Sequence, residues 1–119
     1  MTDEEGIRKT LARYCRLFDA NDWNELGSIF TAEASLTSRR GTVVGRTAVI
    51  EDLKGALAGY SGTLFTSNEV ITETGKTAHM VSDFLSVDDN KILAFGTYED
   101  TLVKSGNDWL FASKHIQLK

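Results

Sequence analysis

The chain has 119 residues, 41% of them apolar and 25% charged, which suits one soluble globular domain built on one core. Its net charge is −4 and no basic run exceeds the pair Arg39-Arg40, which argues against nucleic acid as the main partner, because phosphate binding needs a basic stripe. No apolar run approaches the roughly 20 residues that span a membrane, and the sole cysteine, Cys15, excludes an internal disulfide.

The acidic start, Met1-Thr2-Asp3-Glu4-Glu5, lacks the basic and apolar regions of a signal peptide, so a cytoplasmic location is expected. His79, His115 and Cys15 stand far apart and give no metal-ligand spacing. The glycines are scattered and form no phosphate loop. Neither a metal nor a cofactor is expected.

Helical patterns come first and strand patterns after, which predicts an α+β domain spanning residues 1–119. The opening helix is predicted over Asp3 to Asp19, with three acids at its positive end and Ile7, Leu11, Cys15 and Phe18 as its apolar stripe. Asn21 or Asp22 caps a second short helix that turns Trp23, Leu26, Ile29 and Phe30 inward. Ala34–Ser38 and Thr42–Val44 read as a small hairpin turning at Arg40-Gly41. A third helix is predicted from Thr47 to Gly59, with Val49, Ile50, Leu53, Ala56 and Leu57 buried, ended by Tyr60-Ser61-Gly62.

Four long strands follow, near 63–72, 76–87, 92–103 and 109–118, separated by turn sequences such as Thr74-Gly75 and Asp88-Asp89-Asn90. Alternation puts Ala78, Met80, Ser82 and Phe84 on the face toward the helices and His79 outward. In the last strand Trp109, Phe111, Ser113 and His115 alternate with Leu110, Ala112, Lys114 and Ile116. Both sets hold apolar residues, so one face closes the interior and the other is free to pair with a second subunit.

Asp19 is the residue that draws attention. It lies one turn beyond Cys15 on the same helix side, aimed at apolar surroundings. Burial is costly for a carboxylate and raises its pKa, which is what a general base near neutral pH requires. The plainer alternative is that Asp19 only caps local backbone at the helix end.

The order of several loose motifs resembles a known family. Tyr14 and Asp19 lie on the first helix, followed by Asp22-Trp23, Ile29-Phe30-Thr31, Gly45-Arg46-Thr47-Ala48-Val49-Ile50 and Asn68-Glu69-Val70-Ile71. Gly75-Lys76-Thr77-Ala78, Gly96-Thr97-Tyr98-Glu99-Asp100 and Asp108-Trp109 complete the series. The chain resembles the SnoaL-like branch of the nuclear transport factor 2-like superfamily, which includes polyketide cyclases, scytalone dehydratase, ketosteroid isomerase, limonene epoxide hydrolase and lindane dehydrochlorinase.

The resemblance implies a cone-shaped α+β barrel, with three N-terminal helices packed into a curved antiparallel sheet and a deep pocket inside. It also implies homodimers formed through the outer sheet face. In the dehydratase and dehydrochlorinase branches an Asp matching Asp19 pairs with a His four residues before the Asn matching Asn68. In this chain that position is Leu64, so the histidine-based mechanism does not carry over.

What the resemblance leaves is a cofactor-free lyase or isomerase with Asp19 as base. Tyr14 and Asn68 are the candidate donors for developing negative charge. Phe18, Trp23, Phe30, Leu64, Met80, Phe84, Tyr98 and His115 are the candidate pocket lining, for a small apolar oxygenated ring compound. Asp100 is expected to pair with Lys104 or Lys114 at the surface. Two alternatives stand beside this reading: a non-catalytic ligand-binding or dimerisation module, and an epoxide hydrolase, which needs an Arg inside.

Overall fold

A computed structural model describes residues 1–56 and 61–119. The predictions at Leu57, Gly59 and Tyr60 fall outside the described residues.

Helix α1 (Asp3–Asp19) begins with a capping box. Thr2 Oγ1 accepts from the Glu5 amide at 3.1 Å while the Glu5 carboxylate turns back to Thr2, so two amides that lack helical partners are satisfied. Asp3 also ties the helix to the sheet, accepting from Lys104 Nζ at 2.8 Å and from Trp109 Nε1 at 3.3 Å. The lysine beside it holds the Asp3 carboxyl below its ordinary pKa. Ile7, Thr10, Leu11, Tyr14, Cys15 and Phe18 form the buried face at three- and four-residue spacing. Asn21, with φ of 56°, makes the left-handed turn after the helix, a conformation asparagine tolerates.

Helix α2 (Trp23–Gly27) is capped by Asp22, whose side chain accepts from the Glu25 amide. It is shorter than the sequence pattern suggests. The backbone leaves the helix at Ser28, and Phe30 opens β1 (Phe30–Ser38). Ile29 and Phe30 are buried as expected, but Ile29 from the turn after α2 and Phe30 from the strand: Ile29 O accepts from the Phe111 amide at 2.8 Å. β2 (Gly41–Val44) closes a hairpin, and α3 (Arg46–Ala56) buries Val49, Ile50 and Leu53.

The remaining strands are β3 (Thr63–Thr74), β4 (Thr77–Asp88), β5 (Lys91–Ser105) and β6 (Asp108–Leu118). They form a six-stranded sheet in the order β2-β1-β6-β5-β4-β3. Four of the five pairings are antiparallel. The fifth, β1 with β6, is parallel, so the sheet is mixed and not antiparallel throughout. The cause is a long connection through α3, which carries the chain from β2 to the far edge. Three hairpins then return it to β1 running in the same direction.

Gly96 on β5 lies against the backbone of β6. A Cβ there would collide with the backbone carbonyl of Gln117. Neither strand has a flexible atom to yield, so Gly96→Ala is expected to cost at least the ~1–3 kcal/mol of ordinary overpacking. The urea midpoint measures this, and an unchanged midpoint would show that the strands part freely.

No helix among the described residues is long and apolar enough to cross a membrane.

Candidate active site

Two separate groupings emerge from the residues singled out in the sequence. The first is at the end of α1. Asp19 is half-buried, and its carboxylate accepts the Leu64 amide of β3 at 3.0 Å and 3.2 Å from its two oxygens. Leu64 is buried and Phe18, on the same helical turn, packs edge-on against half-buried Trp23 with ring centres 6.5 Å apart. Burial raises the Asp19 pKa; the Leu64 amide and the Arg16 charge oppose that rise without cancelling it. One N–H shared between two oxygens leaves most of the carboxylate's lone pairs unused. The group is therefore tethered but not saturated.

Asp19 lines a cleft of about 610 Å³, together with Asn21, Ser61, Gly62, Thr63, Phe65, Val87 and the β4–β5 turn at Asp88, Asp89 and Asn90. The cleft is open and mostly polar in its lining. This differs from the enclosed apolar hollow that Asp19's place on the helix leads one to expect. The physical reason is that Asp19 ends α1, so it sits at the rim of the sheet and not beneath it.

The second grouping fills the interior. Tyr14, Phe30 and Phe111 are fully buried. The Tyr14 ring meets Phe18, Phe30, Tyr98 and Phe111 at centroid distances of 5.5 to 6.4 Å. Phe84 stacks on Tyr98 at 4.4 Å, and Met80 is buried on the same face of β4. Burial and its neighbour Tyr14 hold the Tyr98 phenol well above its ordinary pKa, so it stays protonated.

At the centre is an ion pair that the sequence reading places wrongly. Asp100 is not at the surface but fully buried, and its partner is Lys114, also buried. Lys114 Nζ is 3.0 Å from one carboxylate oxygen and 3.2 Å from the other. The ammonium also rests on three rings, 3.8 Å from the centre of Tyr98, 4.4 Å from Tyr14 and 4.6 Å from Phe111. Desolvation raises the Asp100 pKa and lowers that of Lys114, and their mutual attraction opposes both shifts.

A β-bulge explains the misplacement. Leu102 faces Phe111, but Thr101 faces Ser113, so Ala112 is an extra residue in β6. Beyond it the alternation changes parity. Lys114 then faces inward like Phe111, while His115 turns to the outer face, partly exposed and opposite Glu99. The strand itself carries little signal of this, because Leu110 is apolar at an even position between Trp109 and Phe111 at odd ones.

A second bulge governs Asn68. Ser67 faces Asp83 but Val70 faces Val81, and Asn68 takes φ of 56°. Its side chain is exposed and donates to Asp83 Oδ2 at 2.8 Å. Four residues along the strand from Leu64 is about 13 Å, so Asn68 is remote from Asp19 and is not part of its site.

The SnoaL-like domain family matches residues 1–115. No curated protein matches the sequence. Among solved structures, the chain is similar to Rv3472 of Mycobacterium tuberculosis, a protein of unknown function, with a TM-score of 0.90 and 22% identity over 98% of this chain and 72% of that one. It is also similar to a provisionally assigned scytalone dehydratase of Novosphingobium aromaticivorans, with a TM-score of 0.84 and 21% identity over 98% and 84% of the two chains. A hexachlorocyclohexane dehydrochlorinase gives a TM-score of 0.84 and 16% identity over 98% and 85%. At these identities the likeness is one of fold. The match over nearly the whole length, with helices wrapped by a curled sheet, makes this chain a member of the SnoaL-like domain family.

Proposed function

We propose that the protein is a cofactor-free lyase or isomerase that removes a proton next to a carbonyl in a small, apolar, oxygenated ring compound, with Asp19 as the base. The observation that carries this reading is the Asp19 carboxylate itself: tethered, among the described residues, by a single amide, raised in pKa by burial, and facing a cleft. A base with spare lone pairs and a pKa nearer neutrality suits this chemistry. The dehydratase and dehydrochlorinase among the fold relatives carry out eliminations by name, which fits the same reaction class. Tyr14 serves as a buried phenol behind the site, and Asn68 drops out because of its place on the outer face.

The test is deuterium exchange. In D₂O, the protein should accelerate exchange of the protons flanking the carbonyl of 2-tetralone, followed by proton NMR. No acceleration over buffer for 2-tetralone and a panel of similar cyclic ketones would count against a base acting next to a carbonyl.

A second reading, a non-catalytic binding or dimerisation module, is favoured by the interior, which is packed with the protein's own rings and the Asp100–Lys114 pair. An epoxide hydrolase is not favoured: none of the arginines is buried.

We further propose a homodimer through the outer sheet face. Phe65, Leu85 and Phe95 face one another across β3, β4 and β5, with Phe65 55% and Phe95 47% exposed. Such a row of apolar side chains in water marks an interface. Light scattering should give a dimer mass for the native chain and a monomer mass for Phe95→Glu. A monomeric native chain at micromolar concentration would refute the dimer.

A further inference from the structure

Among the described residues, the inner sheet face holds two polar atoms without hydrogen-bond partners. Ser82 on β4 is 1% exposed and Asp100 on β5 is 0% exposed. Neither Ser82 Oγ nor Asp100 Oδ1 makes a hydrogen bond to a described residue. Lys114 Nζ stands 3.0 Å from Asp100 Oδ1 but outside hydrogen-bonding angles, and it donates instead to Oδ2 at 3.2 Å. Buried groups of this kind nearly always have a partner in folded proteins.

Their placement suggests what that partner is. Ser82 faces Tyr98 and Asp100 faces Met80 across the β4–β5 ladder, so Ser82 and Asp100 are diagonal neighbours on one face. Diagonal positions lie about 7–8 Å apart along the backbone and closer at the side chains. Two hydrogen bonds of about 2.8 Å span at most about 5.6 Å, so one oxygen bridges the pair where the two side chains lean toward each other. The chemistry narrows the choice further. A carboxylate oxygen only accepts, so the bridging atom must donate to Asp100. A serine hydroxyl either donates or accepts. A hydroxyl oxygen satisfies both groups and a carbonyl oxygen does not, while the Lys114 ammonium 3.0 Å from Asp100 repels a further cation.

We propose that Ser82 and the Asp100–Lys114 pair form a single-oxygen site inside the sheet, which takes a hydroxyl group: that of a water molecule or that of a small alcohol. The site lies apart from the Asp19 cleft, whose lining includes neither Ser82 nor Asp100, so it does not rest on the reading of Asp19 as a base.

The experiment is a high-resolution crystal structure of the full chain, before and after soaking in cyclohexanol. A water-sized peak within hydrogen-bonding distance of both Ser82 Oγ and Asp100 Oδ1 in both crystals upholds the site with water as occupant. Alcohol density with its oxygen on the same two atoms upholds it with a ligand hydroxyl as occupant. In Ser82→Ala the peak should be lost while the Asp100–Lys114 pair remains. Empty density between the two atoms in both crystals overturns the proposal, as does Ser82 Oγ bonded to a protein acceptor, or a peak undiminished in Ser82→Ala. The native crystals decide the matter even if the variant does not fold. The deuterium-exchange assay reads Asp19 and neither of these atoms, so failure of one reading is distinguishable from failure of the other.

Discussion

Asp19→Asn is expected to slow deuterium exchange next to the carbonyl of 2-tetralone by about 10²–10⁴-fold, the range that a positioned general base supplies. Asparagine keeps the shape of the side chain and an oxygen to accept the Leu64 amide, so the tether to β3 survives. What it cannot do is take a proton.

The accompanying stability change has a definite sign. Burial raises the native pKa of Asp19, so the folded state binds this proton more tightly than the unfolded state does. The contribution of Asp19 to stability therefore falls as pH climbs from the ordinary aspartate range through the raised value, and the ionised group burdens the fold at neutral pH. Removing the charge should leave the thermal midpoint at pH 7 equal or higher. The exchange rate of the native protein should rise with pH across that same window, since only the carboxylate is a base. Equal exchange rates for native and variant protein would remove Asp19 from the chemistry.

Lys114→Met is expected to cost about 3–5 kcal/mol, the typical penalty for leaving one member of a buried ion pair uncompensated. Methionine preserves an unbranched stem against Tyr14, Tyr98 and Phe111, so lost packing contributes little. The loss should come from Asp100, stranded where its charge has no partner. A double variant, Asp100→Leu with Lys114→Met, should recover most of it, because it removes both desolvation costs. Urea midpoints for the two single variants and the double one complete the cycle. A single-variant loss under about 1 kcal/mol would show that the pair behaves as if it were at the surface.

Burial outweighs mutual attraction for both partners, and this sets the pH signature of the pair. Stability declines as pH rises through the raised Asp100 value. It recovers as pH rises from the lowered Lys114 value toward the ordinary lysine range.

Much of the fold was legible because its signals are local. The α1 cap, the acids of its first turn and its apolar spacing are all contained within one segment, and its bounds are those expected. Strands β3 to β6 alternate visibly, and their turns are rich in glycine, asparagine and aspartate. The end of α2 was harder to read. Ile29 and Phe30 continue a helical spacing, yet the ladder to Phe111, far away in the chain, ends the helix in a turn at Ile29 and draws Phe30 into a strand. The parallel pairing of β1 with β6 is equally non-local.

The candidate site was legible in part for the same reason. Asp19's half-burial follows from its helix face, but its amide partner comes from another strand and has no sequence signature. Unbroken alternation through β6 turns Lys114 outward, and only the non-local bulge at Ala112 reverses it. Asn68 was placed by resemblance, and a left-handed backbone turned it outward.

The extra residue at Ala112 has one more consequence. A strand with one residue too many has two ways to lie: kinked, as here, or straight and slipped by one place, which exchanges every inner side chain for its outer neighbour. The slipped arrangement would bring an imidazole inward and carry the amine out to solvent, abandoning the carboxylate on the adjacent strand. Keeping the carboxylate and the amine together would thus favour the kinked threading over the slipped one.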